Sequence, residues 1–417
     1  MPIAVPRKIF LDRADRLQRM PVPAADLARS AERLRRRGVE VIDLSCLAAS
    51  SPAGDMPGAA EAAPNDWRPA TDAEMESLAE ATADWYDRRF GVRLDPKREI
   101  GFAPNTTMAL HLLANAFIDA GELALLPDPG APFYRGAVVL CGGGVIPYHL
   151  LERNDYLPSF PMLEAGLVGR VRLLVLGYPH NPTATAADLS TMTQAVAFAR
   201  KHNILIAFDG AFSFTTQGAF RPRTLLQATG AKGVGVEMSD LGTNFGYSQF
   251  PLTVIGGNRE AISAVTFLVE GAHLRPSRRT VRLAQHLLTQ GEALLDERAR
   301  RLDVTRRLLM ETTAQLGWNP RSSPTAPFLW IRVPAAAGVA AFCRRMLRRT
   351  GILMIPGTIF GERGEGYVRL VLPDDPQLAQ ATADRLRQHA KRYQRRLPRP
   401  PAGRTRRRTG RKPATES

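Results

Sequence analysis

The sequence predicts an α/β protein built on a mostly parallel sheet. Short apolar runs, among them VRLLVLG, ILIAFDG and GVGVEMSD, alternate with segments of helical periodicity such as DLSTMTQAVAFARKHN. Strands of a parallel sheet are joined by crossover helices and buried on both faces, so they consist of nearly continuous apolar residues. We therefore expect helices on both faces of the sheet and ligands beyond the carboxyl ends of its strands.

The elements before this sheet are helical. LARSAERLRRRGVEVIDLSC predicts an amphipathic helix that stops at Gly38 and then a short strand, and TDAEMESLAEATADWYDRRFG predicts a helix that ends at Gly91. A third helix, TTMALHLLANAFIDAGE, begins after the loop APN, so its free amide groups face that loop. If a phosphate or other anion binds, we expect it at Asn105, Thr106 and Thr107.

A second, smaller unit follows a long helical stretch. SSPTAPFLWIRV, AAFCRRMLRRTG, ILMIPGTIFG and GYVRLVLP predict an α+β domain. The predicted regions are an N-terminal arm with part of the small domain (1–55), a large domain (56–290), a small C-terminal domain (291–395) and a disordered basic tail (396–417).

The basic tail explains most of the net charge. Eleven Lys and Arg residues lie from Lys391 onward against one acidic residue, Glu416, so this end supplies +10 of the formal +16. Its Pro, Gly and Arg composition favours disorder. We do not expect nucleic-acid binding, because no aromatic residues alternate with the charges to stack on bases.

Composition also bears on location and metal binding. The chain has no apolar run of the ~18 residues needed to cross a bilayer, and its first residues lack the apolar core of a signal peptide. We therefore expect a soluble, cytoplasmic protein without a membrane partner. The three cysteines, Cys46, Cys141 and Cys343, are too scattered for a disulfide framework or a metal cluster, so no metal site is predicted.

Several loop motifs occur in an order that resembles one known family. PDPGAPFY (127–134), YPHNPTAT (178–185), FDGAF (208–212) and PGTIFGERGEGYVRLVL (356–372) resemble segments of the class I/II aminotransferases, in the fold-type I pyridoxal-phosphate (PLP) superfamily. The resemblance covers roughly residues 35–390. It implies a three-layer αβα PLP-transferase fold with a smaller α+β C-terminal domain, and a homodimer with its active sites at the interface.

Three residues match functional positions of that family. The resemblance implies that Asp209 pairs with the pyridinium nitrogen of the cofactor. It also implies that Asn181 contacts the cofactor and the substrate carboxylate, and that Arg369 binds the α-carboxylate through its planar guanidinium.

Other family positions carry different residues. In the loop EMSDLGTNFGYSQFPL, Asp240, Thr243 and Pro251 stand where the family has a phosphate-binding Ser, the Schiff-base Lys and a phosphate-binding Arg. Ala131 replaces the stacking aromatic and Phe212 replaces a Tyr. A carboxylate beside a phosphate dianion is repulsive, and threonine cannot form a Schiff base.

No other lysine is placed to substitute. Lys201 and Lys232 precede their strands and should lie at the amino ends, roughly 20 Å from the ligand end at ~3.3 Å per residue. Trp67 stands where a Tyr of the partner subunit usually reaches the phosphate in the family.

These losses favour a repurposed biosynthetic enzyme that binds a carboxylate-bearing small molecule without a Schiff base. Arg369 and Asn181 would hold the carboxylate, and Asp240, Asp209 or His180 would act as acid or base. We expect no cofactor in this interpretation, with PLP disfavoured.

Two alternatives remain. The first is a non-catalytic binding subunit, which could partner an active aminotransferase and offer Trp67 across the interface. The second is a conventional PLP-dependent aminotransferase. Titration with PLP distinguishes a cofactor-binding enzyme from the other two interpretations.

Overall fold

The computed structural model of the protein describes residues 14–20, 25–46, 66–160, 165–215, 220–247 and 249–394. The predicted basic tail over 396–417 lies outside these residues. Among the described residues, no helix is both long enough and apolar enough to span a membrane.

Twelve α-helices occur in the described part of the chain. They are α1 (Ala25–Arg35), α2 (Asp72–Phe90), α3 (Thr106–Phe117), α4 (Pro132–Leu140), α5 (Ala165–Val168), α6 (Leu189–His202), α7 (Leu241–Phe245), α8 (Arg259–Gly271), α9 (Arg278–Gln290), α10 (Glu292–Gln315), α11 (Val339–Thr350) and α12 (Pro376–Gln394).

The same residues form thirteen strands. They are β1 (Ile42–Asp43), β2 (Ile100–Ala103), β3 (Leu123–Asp128), β4 (Gly144–His149), β5 (Val171–Gly177), β6 (Leu205–Asp209), β7 (Gly235–Asp240), β8 (Thr253–Gly257), β9 (Asn319–Arg321), β10 (Phe328–Arg332), β11 (Ile352–Leu353), β12 (Ile355–Pro356) and β13 (Tyr367–Val371).

A seven-stranded sheet forms the centre of the large domain. Its order is β2-β8-β7-β6-β5-β3-β4, in which β8 is antiparallel to both neighbours and the other pairs are parallel. Alternate residues of β5 enter different cores: Leu174 and Leu176 pack on one face of the sheet, and Leu173 and Val175 on the other. This confirms the predicted mostly parallel sheet with two buried faces.

Local signals in the sequence fix the helix ends. Thr71 caps α2, since its hydroxyl accepts from the amide of Glu74 while the Glu74 carboxylate accepts from the Thr71 amide. Gly91 ends the same helix with φ at +66°, in the left-handed region that glycine adopts without strain.

The smaller domain contains an antiparallel sheet in the order β12-β13-β10-β9. The N-terminal strand β1 pairs in parallel with β11. Leu27 of α1 and Ile42 of β1 share a core with Phe342 and Leu370, so residues before the large domain pack with the C-terminal one. The residue boundaries of the four predicted regions stay predictions.

The buried carboxyl group of Glu237 in β7 makes stability depend on pH. Its Oε1 accepts a hydrogen bond from the Tyr86 hydroxyl at 3.2 Å, and burial raises the pKa of Glu237 to about 7. A carboxyl group whose pKa is raised by folding stabilises the folded state at low pH, and this contribution is lost as pH rises through the folded pKa.

We predict that Glu237→Gln removes this pH dependence. Because glutamine cannot ionise, the variant should gain about 3 kcal/mol in free energy of unfolding relative to the wild type between pH 4.5 and pH 8. Thermal and denaturant unfolding at several pH values measures this difference. The exposed Glu76→Gln is the control, and parallel pH profiles for the Glu237 variant and the wild type would contradict the prediction.

Candidate active site

The candidate site lies where the carboxyl ends of the central strands face the small domain. Asn181 follows β5, Asp209 ends β6 and Asp240 ends β7, while Arg369 extends from β13. Because neighbouring parallel strands end at one edge of a sheet, residues distant in sequence meet there. The hydrogen bond between Arg369 and Asn181 joins this edge to the small domain.

Arg369 is held by two hydrogen bonds. Its Nη1 donates to Oδ1 of Asn181 at 2.8 Å, and its Nη2 donates to the carbonyl of Ser45 at 2.7 Å. The guanidinium also lies over the ring of Phe360, 4.8 Å from the ring centroid. These contacts fix its orientation before any ligand binds.

The charge of Arg369 has no counter-ion in the described part of the chain. The residue is buried, and among the described residues its Nε has no hydrogen-bond partner and no carboxylate lies within ion-pair distance. Burial lowers the pKa of Arg369 to about 10, so the group remains cationic at neutral pH. A buried cation without a counter-ion is costly, and an anionic ligand would relieve that cost.

Asp209 lies buried at the end of β6. Its Oδ2 accepts from the hydroxyl of Tyr134 at 2.7 Å, and its Oδ1 accepts from the amide of Ala211 at 3.1 Å. Burial raises the pKa of Asp209 to about 6, and the nearby Asp240 adds to this shift. Tyr134 was not among the residues predicted from the sequence, although it is the last residue of PDPGAPFY, a motif that carries the family resemblance.

Asp240 caps the short helix α7. Its carboxylate accepts from the amide of Thr243 at 2.7 Å and from the hydroxyl of Thr253 at 3.0 Å. Burial raises the pKa of Asp240, and the hydrogen bond from the Thr106 amide at the start of α3 opposes this shift because it stabilises the charged carboxylate. The side chain therefore lies where two helix N-termini attract an anion, and its role as acid or base stays a prediction.

The three residues predicted to bind an anion at the start of α3 have different surroundings. The side chain of Asn105 is already used as the helix cap, since it accepts from the Met108 amide at 2.8 Å. The hydroxyl of Thr106 is buried without a partner among the described residues. Thr107 lines a cavity of about 650 Å³ that also reaches Asn181 and Arg369.

His180 is deeply buried beside this edge of the sheet. Its Nδ1 lies 2.8 Å from the hydroxyl of Thr183, and desolvation lowers the pKa of His180 to about 3. The imidazole is therefore neutral at physiological pH. Its Nε2 has no hydrogen-bond partner in the described part of the protein, and its proposed acid–base role stays a prediction.

Trp67 lies apart from these groups, with two thirds of its surface exposed (67%). An exposed indole is compatible with a contact to another subunit, but a single chain does not test that contact. The role of Trp67 across an interface stays a prediction.

The residues present fit PLP only in part. Asp209 can accept a ring N–H, and Thr106 has an unused hydroxyl at a helix N-terminus. Thr243, which stands where the resemblance implies the Schiff-base Lys, lies within α7, three residues after the helix cap Asp240. A neighbouring carboxylate is unfavourable for a phosphate dianion.

The described lysine side chains lie away from this position. Lys97 and Lys201 are exposed, and Nζ of Lys232 pairs with Glu99 at 2.8 Å before the amino end of β7. Among the described residues, none supplies a Schiff-base amine at the site, and the arrangement supports no catalytic step through such an anchor.

Comparisons with known proteins identify the family. Residues 49–385 match the model for aminotransferase class I and II. LL-diaminopimelate aminotransferase of Moorella thermoacetica is 28% identical, over 88% of this chain and 95% of the relative. The enzyme of the same name from Desulforudis audaxviator is 32% identical, over 76% of this chain and 80% of the relative.

Solved structures have the same fold. A substrate-bound BacF structure from Bacillus subtilis aligns with a TM-score of 0.81 at 23% identity, over 91% of this chain and 98% of that one. A probable N-succinyldiaminopimelate aminotransferase from Thermus thermophilus aligns with a TM-score of 0.79 at 26% identity, over 87% and 99%. The predicted PLP-transferase fold is confirmed.

These findings correct two expectations. The relatives are named aminotransferases over most of the chain, which contradicts the hypothesis of a repurposed enzyme that acts without a Schiff base. The family is PLP-dependent, which contradicts the expectation of no cofactor. Both expectations are wrong, and the chain belongs to the class I and II aminotransferase family.

Proposed function

We propose that the protein is a PLP-dependent aminotransferase that moves an amino group between an amino acid and a 2-oxo acid. The observation that carries this proposal is the buried Arg369, which is oriented by Asn181 and lacks an anionic partner among the described residues. Both substrates of such a reaction have a carboxylate beside the reacting carbon. A guanidinium fixed in this way suits that shared group.

Different residues would bind the substrate carboxylate and PLP. Arg369 would donate to the substrate carboxylate through the Nη1 and Nη2 hydrogens that Asn181 and Ser45 do not use, and Asn181 would keep the guanidinium in position. Asp209 would hold the ring nitrogen of PLP, and the Tyr134 hydroxyl fixes this carboxylate. PLP, when bound, supplies an electron-withdrawing ring.

A finer part of the proposal concerns the anchor. We propose that this member of the family holds its cofactor without a covalent bond to residue 243, because Thr243 has no amine. The names of the relatives support an amino-acid substrate.

We also propose a homodimer. The resemblance to the class I/II family supports it, and the exposed Trp67 would then contact the partner subunit. The alternative is that the protein associates with a separate, active aminotransferase and that Trp67 contacts that protein.

Cofactor binding is the first test of the proposed function. Titration with PLP should change the absorption spectrum of the wild-type protein, and an amino acid donor should convert that spectrum. After borohydride reduction the mass at residue 243 should remain unmodified. Thr243→Lys should instead give a reducible adduct at that position, because it introduces an amine beside the Asp240 cap.

Thr193→Lys is the matched control, since it places a lysine on the exposed face of α6. After reduction, the lysine at position 193 should carry no more PLP adduct than the other surface lysines do. The proposed function is wrong if neither PLP nor pyridoxamine phosphate changes the spectrum of folded wild-type protein.

Carboxylate binding is the second test of the proposed function. Arg369→Lys should weaken binding of 2-oxo acids by roughly 10- to 100-fold, because an ammonium cannot make the forked contact and loses the Asn181 bond. Isothermal titration of wild type and variant measures this change. Arg332→Lys on β10, whose side chain is 61% exposed, is the control and should leave affinity unchanged. Equal affinities for all three proteins would show that the carboxylate binds elsewhere.

A further inference from the structure

The cavity beside Arg369 is large enough to define the substrate. Its volume is about 650 Å³, within the usual range for small-molecule sites. Arg369, Asn181 and Ser45 contribute to one part of its wall. The same three residues are joined by hydrogen bonds, so the polar anchor of the cavity is a single connected group.

Most of the remaining wall is apolar. Ten of the seventeen described residues that line the cavity have apolar side chains. They come from both domains and include Ala28 before the large domain, Phe133 at the start of α4, and Ile355, Ile359 and Phe360 from the small domain. An apolar ligand group would therefore be surrounded from several directions.

The charges of the lining are equally informative. Arg369 is the one permanently charged side chain among the described lining residues. Thr107 and His111 add two neutral polar groups from α3, and burial lowers the pKa of His111, which keeps this imidazole uncharged at neutral pH. The described lining therefore offers one site for a carboxylate and none for a second charged group.

We infer that the substrate is a monocarboxylic amino acid, or its 2-oxo acid, with a long apolar side chain. This inference rests on the proposed aminotransferase function and specifies its substrate class. The carboxylate pairs with Arg369, and the apolar chain extends along Ile355, Ile359 and Phe360. The buried area of such a chain contributes to affinity without any further polar contact.

A substrate with a charged distal end fits poorly. LL-diaminopimelate carries a second ammonium and carboxylate, and both would enter the apolar part of the cavity without partners among the described lining residues. Burial of unpaired charges is costly. The substrate named for the curated relatives is therefore disfavoured in this chain.

Cys46 provides a direct measurement of occupancy. It is exposed and lines the cavity, whereas Cys343 is buried and Cys141 is half-buried with its thiol directed to the Val138 carbonyl. The rate of alkylation of Cys46 by iodoacetamide, followed by peptide mass spectrometry, therefore reports ligand binding without a requirement for catalysis.

The probes are pyruvate, 2-oxohexanoate, 2-oxooctanoate and 2-oxoglutarate, together with LL-diaminopimelate. Protection of Cys46 should strengthen along the first three by about two- to fourfold per added methylene. 2-Oxoglutarate and LL-diaminopimelate should protect less than 2-oxohexanoate. The inference is overturned if either of these two binds more tightly than 2-oxooctanoate, or if no probe protects Cys46.

Two variants test the apolar wall itself. Ile359→Asp and Ala28→Asp, the latter on α1, should each reduce the affinity for 2-oxooctanoate at least tenfold, and by a larger factor than the affinity for pyruvate. Ala272→Asp, exposed after α8 and outside the lining, is the control. Unchanged affinity for 2-oxooctanoate in both folded lining variants overturns the inference.

These measurements distinguish a failure of the substrate class from a failure of the proposed aminotransferase function. A graded protection series without PLP binding would support the substrate class and refute the aminotransferase proposal. PLP binding with a preference for dicarboxylates would support the aminotransferase and refute the apolar substrate.

Discussion

The hydrogen bond from Arg369 to Asn181 connects the two domains at the candidate site. Arg369 belongs to β13 of the small sheet, and Asn181 follows β5 of the central sheet. A second bond, to the Ser45 carbonyl, attaches the N-terminal segment to the same guanidinium. One buried cation thus connects three segments of the chain, and among the described residues it has no counter-ion, which supports the proposal that an anionic substrate binds there.

The central sheet provides the rest of the geometry. Because β5, β6 and β7 run parallel, Asn181, Asp209 and Asp240 emerge at the same edge. The N-termini of α3 and α7 face this edge, and their amide groups favour negative charge. In this chain the Asp240 carboxylate accepts from the amides of Thr243 and Thr106, at the position where the family resemblance implies a phosphate-binding Ser.

Much of the fold followed from the sequence, while the site followed only in part. Apolar runs predicted the parallel sheet, and Gly91 predicted the end of α2, because both depend on local chemistry. The Tyr134–Asp209 bond and the capping role of Asp240 depend on packing between distant segments, which periodicity does not encode. The functional hypothesis was wrong because it gave the identity of residue 243 more weight than similarity along the whole chain.

A crystal structure of the protein with PLP and 2-oxooctanoate would show directly whether Arg369 binds the substrate carboxylate. We expect the 2-oxo acid carboxylate within hydrogen-bond distance of the Arg369 guanidinium, with the alkyl chain against Ile355 and Phe360. A carboxylate bound elsewhere, with Arg369 still lacking an anionic partner, would contradict it.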